Sequence, residues 1–95
     1  MTAKQIAAEL KQIPDWTRRG QIITRNYQLK SFLLSIAFVK RIAGRAEKMQ
    51  HHPDINIRYD KVMLVLTTHD AGGLTKKDFA LAAQADQDFV KLATV

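Results

Sequence analysis

The chain has 95 residues, 46% of them hydrophobic, enough for one compact domain and too few for two independent cores. It contains no cysteine, which excludes disulfides, thiolate zinc sites and cysteine nucleophiles and fits a reducing, cytoplasmic compartment. The formal net charge of +6 favours anionic ligands in a general way, but the basic residues are scattered and form no nucleic-acid motif, so no nucleic-acid partner is expected.

Thr2-Ala3-Lys4-Gln5 has the form of a helix capping box, followed by Ile6, Ala7, Leu10 and Ile13 at helical spacing. A short first helix is predicted, ending before Pro14. Charged residues interrupt this stretch, so it lacks the apolar run of a secretory signal, and no segment reaches the roughly 18 apolar residues of a membrane span. No membrane partner is expected. Trp16, read as a core residue, opens a strand that turns at Arg19-Gly20. A second strand over Gln21 to Leu29 places Ile23, Tyr27 and Leu29 on one face, with Arg25 as the exception.

Ser31 to Met49 lacks proline and is predicted to be a long helix, with Phe32, Ile36, Val39, Ala43 and Ala46 on one stripe. Leu34, Phe38, Ile42 and Met49 form a second stripe beside it, and together they span about 200°, wider than packing on one sheet requires. Either a partner subunit or another part of the chain covers the excess. Further on, Ile55 to Tyr59 alternates, as in a half-exposed strand, whereas Val62 to Leu66 is apolar throughout, as in a strand covered on both faces. Asp60-Lys61 is the expected hairpin loop, with Tyr59 packing at the hairpin end. Thr75-Lys76-Lys77-Asp78 starts a last helix whose apolar face holds Phe79, Ala82, Phe89, Val90 and Ala93. This order predicts a single α+β domain over residues 1–95, with three helices on one face of a four-stranded antiparallel sheet.

His51, His52 and His69 all fall in the second half. With Asp60-Lys61 as the loop, Tyr59 pairs with Val62 and His69 falls opposite His52, while Glu47 lies about one helical turn before His51. Three imidazoles and a carboxylate at a hairpin mouth suit proton transfer near neutral pH. Structural histidines or a metal site are the alternatives. Adjacent His51 and His52 cannot both point the same way in regular structure, and no His-Glu-x-x-His pattern supports a metal. Gly72-Gly73 lacks the surrounding residues of a phosphate loop.

The run from Glu47 through His51-His52-Pro53, then Tyr59, His69 and Asp78-Phe79, resembles the signature of the pterin-4a-carbinolamine dehydratases, Glu-x3-His-His-Pro-x5-Tyr-x9-His-x8-Asp-aromatic. Pro14-x-Trp16 and the long apolar helix extend the resemblance over nearly the whole chain. Two positions differ: Ile55 and Phe79 stand where the family often has tryptophan. The resemblance implies removal of water from a 4a-hydroxytetrahydropterin with no metal or other cofactor. It further implies His51, His52 and His69 as catalytic residues, Glu47, Thr68 and Asp78 as candidate substrate-binding residues, and a homodimer or homotetramer. A non-catalytic dimerisation or assembly module on the same fold is the alternative it leaves open.

Overall fold

The computed structural model describes residues 1–94. Its elements run α1 (Ala3–Leu10), β1 (Thr17–Arg19), β2 (Ile22–Gln28), α2 (Phe32–Met49), β3 (Asp54–Arg58), β4 (Lys61–Leu66), a 3-10 turn (His69–Ala71) and α3 (Lys76–Ala93). The four strands form one antiparallel sheet in the order β1-β2-β4-β3, giving the α+β architecture that the pattern predicts. The Thr2–Gln5 capping box starts α1 as expected, and Ser31 caps α2 through the Leu34 amide.

Period-2 alternation decides which sheet face is covered. Ile23 and Tyr27 of β2 and Val62, Leu64 and Leu66 of β4 lie within the core, with Phe38, Ile42, Phe79, Leu81, Ala82 and Ala85 of the helices. Tyr27 anchors the aromatic centre, its ring 4.6 Å from that of Phe38 and 5.0 Å from that of Phe89. Arg25, the exception in the β2 pattern, shares this covered face because its charge is met there. Its Nη1 donates to Asp86 Oδ1 at 2.8 Å, and its guanidinium stacks 4.3 Å from the Tyr27 centroid. The same Asp86 oxygen accepts from Trp16 Nε1 at 3.0 Å and from the Tyr27 hydroxyl at 2.5 Å. Burial and that bond push the Tyr27 pKa well above its usual value, so the hydroxyl remains a donor.

Several expectations are corrected. The β3–β4 loop is Tyr59-Asp60, one residue earlier than expected, so Arg58 pairs with Lys61 and Ile57 with Val62. Tyr59 supplies the left-handed conformation of the turn (φ 57°), and Asp60 O accepts from Leu29 N, tying the hairpin to the end of β2. Tyr59 is 71% exposed and does not pack within the chain. The shift moves the pairing by an even number of positions, so the same side chains keep facing the helices. β4 is covered on one face only, since Met63 and Val65 remain half-buried on the other. On α2 the second stripe forms the core with Ser35 and Ala46, whereas Phe32, Leu33 and Ile36 stay exposed. Val90 is likewise outside, while Phe79 and Ala82 are buried as expected and Leu81, Ala85 and Leu92 join them in the buried face of α3.

Candidate active site

Helix α2 ends in a motif that sets the histidines apart. Gln50 adopts a left-handed conformation (φ 51°), the His51 amide reaches back to Ala46 O at 3.0 Å, and the Gln50 amide donates to Glu47 O at 3.3 Å. A residue other than glycine in this conformation is held there by its surroundings, and Gln50 Nε2 also donates to Glu47 O at 2.7 Å. The reversal sends consecutive imidazoles in different directions. His51 turns inward and is 8% exposed, while His52 is exposed and meets Glu47, its Nε2 2.5 Å from Oε2. Glu47, one helical turn before His51 by spacing, meets His52 because the helix ends before either histidine.

His51 is held from below. Its Nε2 lies 2.6 Å from Asp78 Oδ1, and Asp78 is completely buried. The other carboxylate oxygen accepts from Thr68 Oγ1 at 2.8 Å and from the Thr75 amide at 2.9 Å. Thr68 spends its one proton on Asp78, so the 2.8 Å contact between the Thr68 and Thr75 hydroxyls is donated by Thr75. Every neighbour of Asp78 is thus a donor, and the carboxylate acts only as an acceptor. It fixes the His51 proton on Nε2, and among the described residues Nδ1 has no hydrogen-bond partner. Asp78 doubles as the N3 residue of the α3 capping box, so one side chain both starts a helix and orients an imidazole.

His69 reaches the same place by another route. The chain leaves β4, makes an isolated bridge between Thr68 and Gly73, and carries His69 on the 3-10 turn between them. His69 therefore lies beyond the ladder instead of pairing with His52, the hairpin loop having closed one residue earlier. The three histidines nonetheless line one open cleft of about 240 Å³, with Gln50, Thr67, Thr68, Asp70 and Lys77. Gln50, Thr67, Asp70 and Lys77 escape the sequence reading. Their one available signal was adjacency to the histidines, Thr68 and Asp78. Among the described residues, no group of three or more His, Cys, Asp or Glu side chains is arranged to hold a metal ion.

The family model for pterin 4 alpha carbinolamine dehydratase matches residues 1–87. The chain belongs to this family. A relative from Chloroflexus aurantiacus assigned to the pterin-4-alpha-carbinolamine dehydratases is 53% identical over 87 residues, covering 92% of this chain and 94% of its own. One from Thermomicrobium roseum is 53% identical over 77 residues, covering 81% and 83%. The crystal structure of a transcriptional coactivator/pterin dehydratase from Brucella melitensis superposes with a TM-score of 0.90 at 28% identity, over 93% of this chain and 96% of that one. A pterin dehydratase-like protein identified as a RuBisCO assembly factor in the α-carboxysome shares the fold, with a TM-score of 0.65 at 20% identity over 78% and 86%.

Proposed function

We propose that this protein dehydrates a 4a-hydroxytetrahydropterin to the quinonoid dihydropterin by acid-base catalysis in the histidine cleft. The reaction breaks the C4a–O bond and the N5–H bond. One group protonates the departing hydroxyl so that it leaves as water, and another takes the N5 proton as the C4a=N5 bond forms. The acid and base finish with exchanged protonation states, which solvent restores. His52 and His69, both exposed in the cleft, are assigned to these two transfers. His51, held through Nε2, is assigned to orienting the pterin through Nδ1.

The carrying observation is the buried Asp78 that accepts from His51, Thr68 and the Thr75 amide beneath an open cleft lined by three imidazoles. A purely structural histidine cluster has no use for an open face. Asp78 and Thr68 act in this reading as positioning residues, since the Asp78 carboxylate is buried and the Thr68 proton is already committed. Glu47, exposed at the rim, both partners His52 and is available to the amino-pyrimidine edge of a pterin. The assembly-module alternative gains nothing specific from the 20% identical relative, which informs on fold alone.

Self-association belongs to the same proposal, as a dimer or tetramer that covers the exposed Phe32, Leu33 and Ile36. So does a cytoplasmic location. The activity is tested by generating 4a-hydroxytetrahydropterin in situ and following its decay with and without the protein. Acceleration that survives a chelator supports the metal-free reading, and decay at the uncatalysed rate overturns it.

A further inference from the structure

A second cleft lies away from the histidines, between α2 and α3. It encloses about 380 Å³ and is lined by Lys40, Arg41, Gly44, Arg45 and Lys48 of α2, together with residues of α3 that include Asp88. Four cations against one carboxylate leave a local charge of +3, half of the formal +6 of the whole chain. Among the described residues, neither Lys40 nor Lys48 takes part in an ion pair. Asp88 is completely buried and grips Arg45 by two bonds, Nε to Oδ2 at 2.6 Å and Nη2 to Oδ1 at 2.9 Å, with Arg41 Nη1 3.6 Å from Oδ1. One guanidinium is thus locked at the cleft with unused N–H donors, so little of its rotamer entropy remains to be lost on binding.

We propose that this cleft is a binding site for a small phosphate-bearing molecule. Its volume falls in the usual range for small-ligand sites, and clustered arginine and lysine donors suit phosphate oxygens. The cations span Lys40 to Lys48, about 12 Å of helix at about 1.5 Å per residue, enough for one oligophosphate chain. That is about a third of the roughly 34 Å turn of duplex nucleic acid, so a duplex would leave most of its charge unmet. At about 100° per residue, Lys40 borders the exposed Phe32–Ile36 stripe, about 20° round α2 from Leu33, whereas Arg41, Arg45 and Lys48 lie about 60–120° beyond Leu33. Gly44 keeps the floor clear: a Cβ built there meets nothing within 4 Å.

That open floor supplies a test that removes no charge. Inorganic tripolyphosphate, orthophosphate, a nucleoside triphosphate and a short DNA duplex are titrated calorimetrically into the wild-type protein and two variants, Gly44→Leu and the double variant Lys40→Gln/Lys48→Gln. Circular dichroism of each variant verifies the fold. Tripolyphosphate is expected to bind saturably, one per chain, at least tenfold more tightly than orthophosphate, with each variant weakening it at least tenfold and neither altering pterin dehydration. Retained tripolyphosphate affinity with lost dehydratase activity in the wild type would fault the catalytic reading alone. Tighter binding of the triphosphate nucleotide than of tripolyphosphate identifies a nucleotide as the better ligand and upholds the site. Absence of saturable binding, equal binding by folded variants, or a preference for the duplex overturns it.

Discussion

Replacing Asp78 by Asn alters one atom of a carboxylate whose two oxygens accept from three donors. The amide has two orientations. With its oxygen toward Thr68 and Thr75, its NH2 faces His51 Nε2, and the ring meets it only by presenting a lone pair, which moves the imidazole proton to Nδ1. The reverse orientation sets NH2 against the Thr75 N–H and leaves a buried donor unpaired at a cost of about 1–3 kcal/mol, so the first is favoured. Exchanging one charge-assisted bond for a neutral one is worth about 1–2 kcal/mol, which urea unfolding resolves. Turnover, measured on substrate generated in situ, is expected to fall by about 10²-fold because Nδ1 now carries a proton where the pterin meets a lone pair. Nitrogen NMR of the labelled ring separates this effect from simple destabilisation, since Nε2 should change from protonated in the wild type to unprotonated in the variant. A switched tautomer with wild-type turnover, or lost turnover with the Nε2 proton still in place, would refute the positioning role.

Gln50→Gly removes the side-chain penalty of a left-handed residue at the end of α2 and is expected to raise unfolding stability by up to about 1 kcal/mol, read from the urea midpoint. Hydrogen bonds from Arg45 hold the Asp88 carboxyl below its ordinary pKa. The stability it contributes is therefore present above the unfolded value of about 3.9 and disappears as pH falls through the depressed folded value. Asp88→Asn should be less stable than wild type at pH 7, and unfolding curves at successively lower pH should show the gap narrowing below about pH 4. Leu33, 77% exposed, is expected to lie in the subunit interface, so Leu33→Asp should lower the sedimenting mass of a dimer or tetramer, and an unchanged oligomer would place the interface elsewhere.

Strand alternation and helix caps carried most of the fold into view, because one face of each element must be apolar and its ends must satisfy their amides. The ambiguity of α2 was real. Two apolar stripes competed for the core, and Phe38 and Ile42 won it while Phe32 and Ile36 stayed outside, a choice settled by what the sheet and α3 present to the helix. The hairpin loop moved by one residue because Tyr59, a residue with no special propensity for it, takes the left-handed turn position. Within the site, the spacing of His51, His52, His69 and Asp78 was legible, but the division of labour between adjacent histidines was not. It depends on the conformation of Gln50 and on a carboxylate 27 positions away along the chain. The Arg45–Asp88 and Arg25–Asp86 pairs stayed hidden for the same reason, since side chains in distant elements meet only once those elements are packed.

The assignment of proton transfer to exposed imidazoles is tested most directly by a double variant, His52→Ala/His69→Ala, assayed for dehydration of 4a-hydroxytetrahydropterin beside wild type in the presence of a chelator. Both residues lie on the open side of the cleft, so the fold, followed by circular dichroism, should be retained. Wild-type acceleration should survive the chelator, and the double variant should lose at least about 10²-fold of it, the usual contribution of positioned acid-base groups. Wild-type turnover by the folded double variant would contradict the assignment and leave the cleft as a binding surface.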